Sequence, residues 1–121
     1  MLSIDLAPTL LSLGGAPLPA KIPGRSLVPL ITGDLDYRPR TEFLIEHFSD
    51  NVFARVANMG YQAIRTDRWK FIHYRELLNS DELYDLKSDP YELKNLVQEP
   101  AAQSTLANLK SELRRLLDQT P

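Results

Sequence analysis

Proline placement constrains this chain more than any other feature. Pro8, Pro17, Pro19, Pro23, Pro29 and Pro39 crowd the first third, and only Pro90, Pro100 and Pro121 follow. Proline lacks a backbone N–H and fixes φ, so residues 16–40, which also hold Gly24 and Gly33, form neither a long helix nor a central strand. They read as a surface-hugging connector with one helical turn at Leu27 to Ile31. Ahead of it, Leu6, Leu10 and Leu13 recur at helical intervals, Asp5 stands as the N-cap, and Pro8 falls in the first turn. Gly14 and Gly15 then stop that helix.

Once the prolines thin out, the period changes from helix to strand. Thr41 to Phe48 is a strand candidate whose run Phe43, Leu44, Ile45 suits burial on both faces. Tyr61 to Thr66 and Trp69 to Arg75 are two β-rich runs separated only by Asp67 and Arg68, which predicts a tight hairpin without the glycine that favours primed turns. Glu82 to Leu86 is a fourth strand, with Leu83 and Asp85 on one side. Asp89, Pro90 and Glu92 make a capping-box pattern that predicts a short helix ending near Asn95. Pro100 to Asp118 carries Leu106, Leu109, Leu113, Leu116 and Leu117 on one stripe, and Arg114 and Arg115 suit the negative end of its dipole. The fold class is α+β: an antiparallel sheet of three to four strands packed by a long C-terminal helix, preceded by a short helix and a Pro-rich connector.

Composition enters mainly by exclusion. There is no cysteine among the 121 residues, hence no disulfide, no thiolate metal site and no cysteine nucleophile. Sixteen acidic residues face 14 basic ones that are scattered, so no nucleic-acid partner is expected. No apolar run approaches a bilayer span and Met1 opens no basic-then-apolar leader, so neither a membrane nor an export signal is expected, and the compartment is left open. His47 and Glu46 are neighbours on a strand and face opposite sides, and His73 reads as a partly buried, hydrogen-bonded histidine, so metal binding is not expected. Ser49, Asp50 and Asn51 read as turn chemistry, and Arg65, Asp67, Arg68 and Lys70 as a solvated hairpin tip with weak cross-strand ion pairs.

Two series of motifs carry a resemblance. Asp5-Leu6-Ala7-Pro8-Thr9 through Gly15, followed by Ile22-Pro23-Gly24-Arg25-Ser26-Leu27, resembles the end of the catalytic domain in type I sulfatases of the alkaline-phosphatase-like superfamily. Ala63-Ile64-Arg65-Thr66-Asp67-Arg68-Trp69-Lys70, Asp81-Glu82-Leu83-Tyr84-Asp85-Leu86 and Asp89-Pro90-Tyr91-Glu92-Leu93-Lys94-Asn95-Leu96 continue it in order. The chain is similar to the C-terminal portion of sulfatases acting on sulfated carbohydrate, such as arylsulfatases and N-acetylglucosamine-6-sulfatases.

The resemblance implies that residues 1–40 are the tail of a catalytic domain and 41–121 a C-terminal subdomain. It implies a formylglycine nucleophile, made from a Cys/Ser-x-Pro-x-Arg motif, and a calcium ion, both in a catalytic domain upstream and neither in this chain. Ser88-Asp89-Pro90-Tyr91-Glu92 has glutamate where that motif needs arginine, and Ser49-Asp50-Asn51-Val52 has valine where the family's metal motif has glycine. No catalytic and no metal-ligating residue is therefore expected here. The excursion from Ser49 to Gly60 is the part placed over the substrate, which makes His47, Arg55, Asn58 and Gln62 the candidates for contacts to sugar hydroxyls or sulfate. The expected reading is a C-terminal fragment of a sulfatase, a sulfuric ester hydrolase, inactive alone. Its partner is the missing catalytic domain, and a sulfated sugar binds only in the full enzyme. The alternative is a stand-alone binding or assembly module derived from that subdomain. The Leu6, Leu10, Leu13 face is expected to pack on the chain's own sheet or in a homodimer.

Overall fold

The computed structural model describes residues 2–49 and 57–120. The chain divides into two compact units, Met1–Pro39 and Arg40–Pro121. In the first, a single 3-10 turn, Ser3–Asp5, leads into α1 (Leu6–Leu13), and the connector contains one helical turn, α2 (Val28–Ile31). Asp5 stands at the N-cap position of α1 that the sequence suggests, but its side chain makes no cap bond to that helix. It lies inside the 3-10 turn, where its carboxylate Oδ2 accepts the Leu2 N–H (2.8 Å) and Oδ1 accepts the Arg25 N–H (3.0 Å). Thr9, one helical turn on, donates its hydroxyl to the Asp5 carbonyl (2.6 Å) and accepts the Leu27 N–H (2.9 Å). Two buried polar side chains thus fasten the proline-rich connector, whose backbone has few partners of its own.

That attachment decides which side of α1 is covered. Asp5, Pro8 and Thr9 are buried, whereas Leu6, Leu10 and Leu13 are 50%, 68% and 62% exposed. The periodic leucines are not buried within this unit. Gly24 is required by contact: its φ is +90°, and a Cβ there would lie 2.1 Å from the Ile4 carbonyl oxygen.

The second unit is a four-stranded antiparallel meander, β1 (Glu42–His47), β2 (Tyr61–Thr66), β3 (Trp69–Tyr74) and β4 (Glu82–Asp85), in the order β1-β2-β3-β4. A 3-10 turn, Pro100–Ala102, precedes the long helix α3 (Gln103–Gln119). Strand alternation places Ile64, Phe71 and Leu83 in register on one face, where they are almost fully buried against Leu106, Leu109 and Leu113 of α3. Each such side chain contributes about 1.5–3 kcal/mol. Leu116 and Leu117 pack half-buried at the margin. On the other face Ala63 and Ile72 are buried.

The β2–β3 hairpin turns without glycine. Neither Asp67 nor Arg68 adopts a positive φ. The Thr66 hydroxyl accepts the Arg68 and Trp69 N–H groups (3.3 and 2.8 Å) and so supplies the turn's hydrogen bonds. Ion pairs form at this tip as expected, one of them on a buried carboxylate: Arg68 makes a two-pronged pair with Asp85 on β4 (shortest contact 2.7 Å), and Lys70 pairs with Glu92 (2.6 Å).

Two expectations fail for tertiary reasons. Phe43, Leu44 and Ile45 are half-buried because β1 is an edge strand. The helix expected at 90–95 is a pair of turns. No helix forms for Asp89 to cap: the Glu92 N–H donates to the Asp89 carbonyl in a turn (3.1 Å), Glu92 takes φ +56°, and the Asp89 carboxylate accepts the Lys94 N–H (2.8 Å) five residues on. The chain then runs beside the outer edge of β4, where Asn95 Oδ1 accepts the N–H groups of Leu83 and Val97 (3.0 Å each), Asn95 Nδ2 donates to the Asp81 carbonyl (3.1 Å), and the Leu96 N–H donates to the Leu83 carbonyl (2.8 Å). An otherwise open sheet edge is covered in this way.

Candidate functional site

Antiparallel register gathers the chemically versatile residues at the end of the sheet opposite the β2–β3 turn. On the second face, His47, Tyr61 and Tyr74 are direct neighbours across β1, β2 and β3. The His47 ring stacks on Tyr61 (centroids 5.4 Å apart), and Tyr61 meets the edge of Tyr74 at 5.9 Å. Glu82 closes this row on β4, accepting the hydroxyls of Tyr74 (3.2 Å) and Tyr84 (2.9 Å). Burial, the bond to Glu82 and the carboxylate's charge push the Tyr84 hydroxyl up to about 12, and Tyr74 is raised for the same reasons. Both phenols are therefore fixed as neutral donors.

On the helix face of the same sheet end, Glu46, Gln62 and His73 lie in register, with Asp81 just before β4. Gln62 donates to Glu46 (3.1 Å), and His73 Nδ1 bonds Asp81 (2.9 Å). Asp81 also accepts the Tyr74 N–H (3.3 Å) and faces Lys110 Nζ of α3 at 3.9 Å. Gln62, His73, Asp81, Lys110 and Arg114 line a cleft of about 290 Å³ floored by Phe71, Leu113 and Leu117.

The four residues singled out for substrate contact are distributed accordingly. His47 is exposed at the end of β1 on the second face. Asn58 sits in an exposed turn with φ +60°, a conformation that asparagine tolerates better than most residues. Gln62 is on the helix face, opposite in sense to His47, and Arg55 lies outside the described residues, as do Asp50 and Asn51. His73 is hydrogen-bonded as expected but exposed rather than partly buried. The sequence reading missed Asp81, Lys110 and Arg114. The signal was present in the alternation of Asp81 with Leu83, and in the helical spacing of Lys110 and Arg114 beside Leu113 and Leu117.

Among the described residues, no three His, Cys, Asp or Glu side chains converge as a metal site, and no helix is long and apolar enough to cross a membrane. The described residues therefore do not fit a calcium site, and the sequence contains no Cys/Ser-x-Pro-x-Arg from which a formylglycine is made.

The protein family described as N-sulphoglucosamine sulphohydrolase, C-terminal, matches residues 1–119. The chain belongs to that family. This sulfatase C-terminal chain is 38% identical over 116 residues to a Delta 4,5-hexuronate-2-O-sulfatase of Bacteroides thetaiotaomicron, a match covering 96% of the chain and 22% of the relative. It is 29% identical over 123 residues to an N-acetylglucosamine-6-O-sulfatase of the same organism, covering 98% of the chain and 21% of the relative. A solved structure of a protein in complex with its substrate D-glucosamine-2-N,6-O-disulfate superposes with a TM-score of 0.82 at 27% identity, over 96% of this chain and 24% of that one. The chain thus spans about a fifth of the length of the curated relatives it matches.

Proposed function

We propose that these residues serve as the C-terminal part of a sulfatase that hydrolyses sulfate esters of carbohydrate, supplying one wall of the substrate pocket rather than the reacting groups. The observation that carries this reading is the family match along residues 1–119, with relatives named for sulfated sugars. In this reading residues 1–40 close a catalytic domain and 41–121 form its neighbouring subdomain, and the division of the chain at Pro39/Arg40 supports it. The catalytic domain, with its formylglycine and calcium, is the partner. The exposed Leu6, Leu10 and Leu13 give an apolar face for that domain to cover, and a homodimer through the same face is the competing occupant.

Within the pocket wall, His47, Arg55 and Asn58 are the proposed direct contacts to sugar hydroxyls or sulfate, since imidazole, guanidinium and amide groups are the donors such ligands need. Support for His47 comes from its exposure and from the Tyr61–Tyr74–Glu82 row that holds its ring. Gln62 is proposed as a contact on the helix side, where its amide donates to Glu46.

The test is a graft. The 121-residue chain alone, with calcium, shows no turnover of an aryl sulfate; in place of the C-terminal fifth of the hexuronate-2-O-sulfatase relative, it restores turnover. His47→Ala in the graft raises KM by about tenfold, the loss of one charge-assisted contact. A graft that folds yet never turns over overturns the sulfatase reading and favours the stand-alone module, whereas a His47→Ala graft with unchanged KM overturns the His47 contact alone.

A further inference from the structure

We propose that Glu76 is a positioning residue for His47: from the start of the β3–β4 connection it grips the chain just past that histidine. Its role in binding rests on the pocket-wall reading, whereas the grip itself does not. Beyond the last row of the sheet, His47–Tyr61–Tyr74, three chain ends lie side by side. Phe48 and Ser49 leave β1, Gly60 enters β2, and Arg75 and Glu76 leave β3. The Arg75 N–H donates to the Gly60 carbonyl (2.9 Å), which carries the β2–β3 ladder one residue past the strands. The Arg75 guanidinium stands over the Phe48 ring, 5.8 Å from its centroid.

Glu76 reaches further than Arg75. Adjacent strands are about 4.8 Å apart, so β3 and β1 are separated by about 10 Å with β2 between them. The Glu76 carboxylate nevertheless accepts the Ser49 hydroxyl (3.1 Å). It gets there by lying on Gly60, where a Cβ would sit 2.7 and 2.9 Å from the two carboxylate oxygens. Gly60 does not take a positive φ, so its backbone conformation is open to other residues. What requires glycine at this position is the path of the Glu76 side chain across β2.

His47 is the residue that gains from this. It is exposed, at the end of the edge strand β1, where the core gives it little support. Its ring rests on Tyr61, but the direction of that ring also depends on the backbone that follows. Arg75 holds the next side chain, Phe48, and Glu76 holds the one after, Ser49. A donor fixed in this way loses less freedom when a ligand binds, so the grip is read in KM. The Ser49–Glu76 bond is itself exposed and adds little to global stability, so its loss is read in binding and not in unfolding.

The experiment has two arms. The first follows the histidine ring NMR resonances of the 121-residue chain at about pH 8.5, where an ordinary imidazole is neutral, with His73 on the opposite face as internal reference. Glu76→Ala and Gly60→Ala each move the His47 resonances and leave those of His73 in place. Glu76→Gln removes the charge but keeps an acceptor for Ser49, and it restores at least half of the shift, which separates geometry from field. Gly60→Ala adds nothing once residue 76 is alanine. This arm needs no turnover, so it judges the grip even where the pocket-wall reading fails. In the second arm, Glu76→Ala in the active graft raises KM about threefold with kcat unchanged, and Glu76→Gln recovers at least half of that loss. Combined with His47→Ala, which alone raises KM about tenfold, Glu76→Ala leaves KM near tenfold and not about thirtyfold, because it acts through His47. The urea midpoint of the 121-residue chain, read from Trp69, stays that of the parent. Unmoved His47 resonances, a Gly60→Ala shift that persists beside Glu76→Ala, additive KM effects, or a fall in the urea midpoint that accompanies the KM change overturn the proposal. A parent graft that folds without turnover overturns the role in binding and leaves the first arm to decide the grip.

Discussion

Asn95 offers a sharp test of how the sheet is finished. Its side chain makes three hydrogen bonds, accepting from Leu83 and Val97 and donating to the Asp81 carbonyl. Two of these are exposed to solvent, where a bond contributes near the lower end of the usual range, about 0.5 kcal/mol each. The third satisfies the N–H of Leu83, a residue with no exposure at all, and losing it costs about 1–1.5 kcal/mol. Asn95→Ala is therefore expected to destabilise the second unit by about 2–2.5 kcal/mol. For 82 residues, a stability of about 4–12 kcal/mol is typical, so the loss is a large share. With a urea m-value of about 1.2 kcal/mol/M the midpoint falls by about 2 M. Trp69, the sole tryptophan, packs against the core of this unit and reports its unfolding by fluorescence. Asn95→Asp keeps both acceptor bonds, loses the donor and sets a carboxylate against the Asp81 carbonyl, which gives about half the loss. The reasoning is refuted if Asn95→Ala lies within about 0.5 kcal/mol of the parent, or if Asn95→Asp is as damaging as Asn95→Ala.

Three further outcomes follow from the geometry. Gly24→Ala puts a Cβ within 2.1 Å of the Ile4 carbonyl oxygen at φ +90°, and the backbone strain alone costs about 1–2 kcal/mol; hydrogen exchange should show faster Arg25 and Leu27 amides, with α3 unaffected. Leu83→Ala empties the centre of the core and is expected to cost about 3–4 kcal/mol, again read from Trp69 in urea. The Arg68 guanidinium beside Asp85, helped by the Lys87 N–H, holds that carboxyl down to about 2, against an ordinary 3.8. Because the folded value is the lower one, the group's contribution is complete above about pH 4 and disappears as pH falls toward 2. The melting-temperature difference between the parent and Asp85→Asn should shrink over that window, and a constant difference would exclude the mechanism.

The sequence pattern revealed elements wherever local period and burial agree. The four strands and α3 are legible because alternation at Ile64, Phe71 and Leu83, and the stripe Leu106–Leu109–Leu113, each meet one buried surface. Local patterns misled where a distant partner took over. The capping pattern at Asp89–Glu92 yields turns and no helix, and the chain instead sets Asn95 and Leu96 along β4, twelve or more residues away in sequence. The leucine stripe on α1 is real, but Asp5 and Thr9 fix the connector to the other side of the helix. The cleft was illegible for a similar reason: Asp81 and Lys110 are 29 positions apart, and no local period brings them together.

The two ends of the sheet differ in how completely their polar groups are matched. At the β2–β3 turn, Arg68 meets Asp85, Lys70 meets Glu92, and Thr66 serves the turn's own N–H groups. Groups satisfied internally have little capacity left for a ligand, so that end is structural. At the opposite end Glu46, Asp81 and Glu82 each accept from a protein donor, Lys110 stands between Asp81 (3.9 Å) and the Phe71 ring (5.6 Å), and Arg114 makes no hydrogen bond or ion pair among the described residues, so the matching is less complete. That end can change its surface contacts without rearrangement of the core, since Phe71, Leu83 and Leu113 already fix the strands and the helix that flank it.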